Sequence, residues 1–174
     1  MALIFPGSTC ALCREPLDRP YTATSGVVFP AGSHLYRYCD APLHFDCLER
    51  WPDREAFSAG YFDRALTHFR DRANLLVERA NWILGCGPTR RNQLPDGMAQ
   101  RLDNDLPYYA EVCLSDWPFR LYTYWSDWER FLAGGFREGL AGEALQVSER
   151  VVGEARRFAP NEEALSDLLE KSYR

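Results

Sequence analysis

The stretches Cys10-Ala11-Leu12-Cys13 and His44-Phe45-Asp46-Cys47 each set two metal-binding side chains three positions apart. Two cysteines at this spacing can fold back as a knuckle and offer both sulfurs to one tetrahedral ion. The second pair falls on an expected first helical turn, where side chains at i and i+3 share a face. Free N–H groups and the macrodipole at a helix start also favour a thiolate at Cys47. Cys10, Cys13, His44 and Cys47 therefore read as a Cys3His set for one structural Zn2+. Four protein donors complete the tetrahedron and leave no position for a catalytic water.

Between the pairs, Thr22, Thr24, Val27 and Val28 mark residues 21–29 as strand. Pro30, Ala31, Gly32 and Ser33 supply a turn, and the alternating aromatics of residues 34–38 suit the second arm of a hairpin. Asp40 is the expected N-cap, with Pro42 in the first turn, of a helix that carries His44 and Cys47 and stops at Pro52. This order of knuckle, hairpin and helix start resembles the treble-clef zinc fold group over about residues 8–58. The resemblance implies a scaffold organised around one zinc ion. It implies no activity, because ribosomal proteins, interaction domains and some nucleases share that scaffold. His34 and Cys39 lie between the pairs and are rival ligands, for this ion or for a second one. The region offers too few donors for the two-ion cross-brace of RING ubiquitin ligases.

Beyond the second pair, Phe57, Tyr61, Phe62, Leu66 and Phe69 recur at helical spacing across Gly60 and predict a helix over residues 53–74. Residues 75–85 are ambiguous: their start allows a strand, Trp82, Ile83 and Leu84 look like a strand running into a loop at Gly85, Gly87 and Pro88, and residues 89–107 read as a polar excursion. Residues 108–114 and 119–125 form a predicted hairpin around Ser115, Asp116, Trp117 and Pro118. Ser126 and Glu129 make a capping box for a short helix that ends at Gly134 and Gly135. Leu145, Val151, Val152, Ala155 and Phe158 form a helical stripe, and Asn161 caps a last helix with Leu165, Leu168 and Leu169 inward. The class is α+β: a treble-clef-like zinc module, residues 1–58, packs on a small antiparallel sheet with C-terminal helices, residues 59–174, as one unit.

With 174 residues, 46% of them hydrophobic, the chain can bury a substantial core. A formal charge of -5 and a pI near 5.3 argue against a nonspecific grip on nucleic acid, which runs on clustered cations. Lys171 is the only lysine among 20 basic residues, an arginine bias that points to GC-rich codons and a bacterial source. The apolar run Ala2, Leu3, Ile4, Phe5 stops at Pro6, too short for a signal peptide core or a membrane span, so the expectation is a cytoplasmic chain without a membrane partner. In a reducing compartment the six cysteines serve metal binding, redox work or burial rather than disulfides.

Between Asp103 and Glu129, six carboxylates stand against the single cation Arg120, interleaved with tyrosines and tryptophans. Such a segment reads either as an amphipathic hairpin with its rings in the core and its acids in water, or as a surface for a basic protein partner, with rings as anchors and carboxylates steering association. Tyr108, Tyr109, Asp116 and Trp117 are the candidate contact residues, with Trp117 at the hairpin tip. Enzyme signatures are thin. Gly85 and Gly87 begin a dinucleotide fingerprint, but Arg90 takes the third glycine position. Cys86 or Cys113 with His68 is a conceivable thiol pair, and His34 a conceivable nuclease base. The leading expectation is a non-enzymatic, zinc-stabilised protein-binding protein, one form being a bacterial immunity or antitoxin-like protein with a basic partner. The alternative is a metal-dependent nuclease or a thiol enzyme.

Overall fold

Strand-forming residues within 75–88 and 108–124 build the larger sheet of the protein. The computed structural model describes residues 4–71, 75–88, 108–124 and 127–158. Within them lie two antiparallel sheets and four α-helices, a mixture of helix and sheet. The larger sheet runs in the order β3 (Leu75–Glu78), β4 (Trp82–Pro88), β5 (Tyr108–Leu114), β6 (Arg120–Tyr124). Its register sets Leu84 opposite Val112 and Val112 opposite Leu121. Residues 110–114 are buried at every position, so both faces of β5 are covered and simple alternation disappears from the sequence.

One face carries Ile83 and Cys113 and is covered by helix α2 (Arg54–Asp71) through Ala65 and Phe69. Gly85 belongs to this face, and the Phe69 ring occupies the space that a side chain there would need. The same close approach explains Gly60 inside α2, where a Cβ would meet the Phe29 ring at 2.6 Å. The opposite face carries Trp82, Leu84, Val112, Leu114 and Leu121. Against it pack Phe131 and Leu132 of α3 (Trp128–Leu132) and Ala144, Val151, Val152 and Ala155 of α4 (Gly142–Ala155). Trp82 adds a polar tie, its Nε1 donating to Glu154 at 2.8 Å. Leu43, Phe45 and Leu48, which flank the second ligand pair, belong to the same hydrophobic cluster.

The smaller sheet pairs β1 (Tyr21–Ala23) with β2 (Pro42–His44), and α1 (Phe45–Glu49) follows β2 directly. This corrects the expected hairpin, whose second arm was placed at residues 34–38. Those residues turn instead: Ser33 Oγ accepts the Leu35 N–H, and Tyr36–Tyr38 closes into a 3-10 turn. Local hydrogen bonds satisfy that backbone, and the strand moves to Pro42–His44. Asp40 is likewise not an N-cap. It sits at φ +51°, and its carboxylate accepts the Gly26 N–H at 2.6 Å, while His44 takes the N-cap position of α1. Thr24 clamps the loop, its hydroxyl donating to Tyr38 O at 2.6 Å and accepting from Ala41 N–H at 3.0 Å.

The predicted helix over residues 53–74, the strands after it, the hairpin at residues 108–125 and the Val151 stripe correspond to α2, β3 to β6 and α4. The polar excursion at residues 89–107, Ser126 of the capping box and the last helix from Asn161 lie outside the described residues. Among the described residues, no helix is long and apolar enough to cross a membrane.

Candidate metal centre

The first pair sits on a tight turn. Thr9 bridges to Pro16, the Cys10 N–H donates to Glu15 O at 2.9 Å, and the Arg14 N–H donates to Cys10 O at 2.8 Å. Arg14 turns the chain at φ +67°, a left-handed conformation that costs a non-glycine residue on the order of 1–2 kcal/mol. The knuckle is joined to β2 by the Ala11 N–H, which donates to Pro42 O at 2.9 Å.

His44 ends β2 and its backbone N–H donates to Cys10 Sγ at 3.3 Å. Its ring Nε2 lies 3.1 Å from Pro16 O, and since a carbonyl can only accept, Nε2 carries the proton. Nδ1 is thereby left as a lone-pair donor, 3.4 Å from Cys13 Sγ and 3.9 Å from Cys47 Sγ. All four ligand atoms of Cys10, Cys13, His44 and Cys47 lie within 4.8 Å of one another. A tetrahedral ion with ordinary sulfur and nitrogen bond lengths places its donors about 3.5–3.8 Å apart. The four side chains are positioned to hold one metal ion.

Cys10, His44 and Cys47 are buried, and Cys13 is partly exposed. Burial among its neighbours pushes the Cys47 thiol up to about 11, whereas a hydrogen bond from the Glu15 backbone holds Cys13 down at about 7. Crowded sulfurs of this kind suit a divalent cation, which displaces their protons.

Around the sulfurs lies a layer that the two motifs do not reveal. Arg19 Nη2 donates to Cys13 Sγ at 3.6 Å and to Cys47 Sγ at 3.7 Å, while Arg19 Nε donates to Asp46 Oδ1 at 3.0 Å. Asp46 also accepts from Arg50 at 3.0 Å through Oδ2. Partial burial opposes ionisation of Asp46, but the Arg19 hydrogen bond and the two arginine charges outweigh it and hold the carboxyl below its ordinary value. Asp46 was visible inside the second motif as an acid on the first turn of a helix. Nothing in the spacing joins it to Arg19.

The rival ligands stand apart from this cluster. His34 is exposed and its Nε2 lies 3.4 Å from Asp53 Oδ2. Cys39 is half-buried against the hydrophobic core, its N–H donating to Tyr36 O. Cys86 and Cys113 are buried on opposite faces of the large sheet. The Cys113 thiol donates to Glu111 Oε1 at 3.3 Å and burial pushes its pKa well up, so it is no thiolate at neutral pH. The His68 ring sits edge-on to Phe69 at 5.6 Å.

The expected partner surface needs a correction. Trp117 is not at an exposed tip: its side chain is 0% accessible, packed on Phe45 and Phe119 with the Arg54 guanidinium 4.5 Å over its ring. The connection between β5 and β6 folds back on the core, because burying an indole outweighs the polar average of its neighbours. Tyr109 is half-buried and stacked on Tyr122 at 5.3 Å, and Asp116 is half-exposed. The Tyr108 side chain lies outside the described residues. Glu111, one of the six carboxylates between Asp103 and Glu129, is buried and paired with Arg120 at 2.7 Å. No family model matches this sequence, and no curated protein or solved structure does.

Proposed function

We propose that Cys10, Cys13, His44 and Cys47 hold one zinc ion in a treble-clef-like arrangement, and that the chain is a non-enzymatic, zinc-stabilised protein that binds another protein. The observation that supports the metal half of this reading is the convergence of three sulfurs and one imidazole nitrogen within 4.8 Å. Soft thiolates with one imidazole in a tetrahedron suit zinc above the hard cations. Four protein donors favour a structural ion over a catalytic one, since a catalytic zinc keeps a position open. A structural zinc contributes on the order of 10–16 kcal/mol of apparent binding free energy, which becomes folding free energy. The two-stranded sheet has only three residues per strand and α1 only five, so the ion would add to the anchoring that Leu43, Phe45 and Leu48 supply by joining the core.

The formal charge of -5 favours a basic protein as partner. With Trp117 inside the core, the remaining contact candidates are Tyr122 on β6, 48% accessible, and Asp116 in the β5–β6 connection, half-exposed. A bacterial immunity or antitoxin-like protein is one form of this reading.

Metal analysis and melting test the zinc half. Purified protein is expected to carry one equivalent of zinc, and Cys10→Ser to lose both the ion and much of the stability. Substoichiometric zinc together with an unchanged melting curve in Cys10→Ser would end the proposal. The partner half predicts that a basic protein captured from the source organism binds more weakly to Tyr122→Ala and in high salt. Salt-independent binding that ignores Tyr122 would remove it.

A further inference from the structure

The four ligands explain how an ion is held, but not why a guanidinium is turned toward two of their sulfurs. We propose that Arg19 is a positioning residue of the metal centre: by donating to Cys13 and Cys47 together, it balances the charge of the thiolate set and fixes the separation of the two sulfurs. The inference rests on the zinc reading above.

Three thiolates and a neutral imidazole around a divalent cation carry surplus negative charge, and one guanidinium offsets it. The two sulfurs come from different elements, Cys13 from the knuckle and Cys47 from α1, so one donor group at 3.6 and 3.7 Å ties the halves of the centre together. Arg19 is itself held, because its Nε donates to Asp46, and Asp46 is braced from the other side by Arg50. Lysine has three N–H donors on one nitrogen and cannot reproduce the planar fork in which Nη2 serves two sulfurs while Nε serves the carboxylate. Cys13 is also the partly exposed ligand, so the guanidinium shields the sulfur that solvent reaches. A hydrogen bond to a thiolate withdraws electron density and makes it a poorer nucleophile.

The test uses the full chain loaded with zinc, and the same chain loaded with cobalt(II). Zinc affinity is measured by competition with a chromogenic chelator for wild type, Arg19→Gln, Arg19→Lys and Asp46→Asn. Arg19→Gln is expected to weaken zinc binding about 10–100-fold, as outer-layer substitutions at metal sites do. Arg19→Lys should fall between, and Asp46→Asn should lose less because Arg19 remains. The thiolate-to-cobalt absorption band should move to lower energy in Arg19→Gln, and the holoprotein cysteines should alkylate faster.

A purely structural Arg19–Asp46 ion pair predicts something else: equal losses of melting temperature in Arg19→Gln and Asp46→Asn, with zinc affinity and the cobalt band unmoved. That result overturns the assignment of Arg19 and leaves the zinc reading standing. If Arg19→Gln does not fold, Arg19→Lys preserves the charge and decides by the same two readouts. A wild-type chain that takes up no zinc overturns the parent reading and this inference with it.

Discussion

The Glu49 carboxylate accepts the backbone N–H of Glu143 at 2.6 Å, so the last residue of α1 caps the first turn of α4. Gly142, at φ +58°, lies against the same carboxylate and leaves room for it. A capping acceptor at a helix start stabilises through one unpaired N–H and the helix dipole. Glu49→Ala should therefore cost about 1 kcal/mol, measured by urea unfolding, and Glu49→Gln should cost less because it keeps an acceptor.

Trp117 bears on stability and not on docking. Its ring is enclosed by Phe45 and Phe119 under Arg54, which also pairs with Glu143 at 3.0 Å. Trp117→Ala should destabilise the fold by roughly 3–5 kcal/mol. A melting curve like that of the wild type would contradict the buried placement.

Gly85 is required by the ring laid across it. Phe69 of α2 fills the place of a side chain on β4, so Gly85→Ala drives a methyl group into a packed aromatic. Overpacking of this kind costs roughly 1–3 kcal/mol. The paired variant Gly85→Ala with Phe69→Leu should recover part of the loss in the same unfolding assay.

Asp40 makes a pH-dependent contribution. Its carboxyl lies below its ordinary value, chiefly because the Gly26 N–H donates to it. A carboxylate with a depressed folded pKa contributes stability that is complete above the unfolded value of about 3.9, and that stability is lost as pH falls through the lower folded value. Urea midpoints of wild type and Asp40→Asn should differ near neutral pH and converge in acid. The side chain is exposed, so the difference should be small.

His44 tests the ligand set. His44→Cys keeps four donors and should retain the ion. His44→Ala leaves three sulfurs, and its melting temperature should fall toward that of chelator-treated wild type. Equal zinc content in both variants would show that the imidazole is not a ligand.

Periodicity made α2 and α4 legible, since each buries a face whose residues recur at a fixed spacing, and the β5–β6 hairpin was legible from two β-prone runs around turn residues. The partner of β1 was not legible. Residues 34–38 have the composition of a strand, but Ser33 gives them a competing local hydrogen bond that no alternation pattern registers. Trp117 misled because a short loop rich in turn residues normally points to solvent, and only the three-dimensional path shows it returning to Phe45.

The sequence by itself determined that two pairs could each offer both donors locally, because three-residue spacing closes a knuckle turn at Cys10–Cys13 and one turn at His44–Cys47 before any long-range contact forms. Tertiary structure alone decided that the pairs meet at Pro42–His44, that Cys39 and His34 stand aside, and that Arg19 reaches both sulfurs. Those relations join residues far apart in the chain. They depend on where the strand ends and the core place the backbone, which no local pattern encodes.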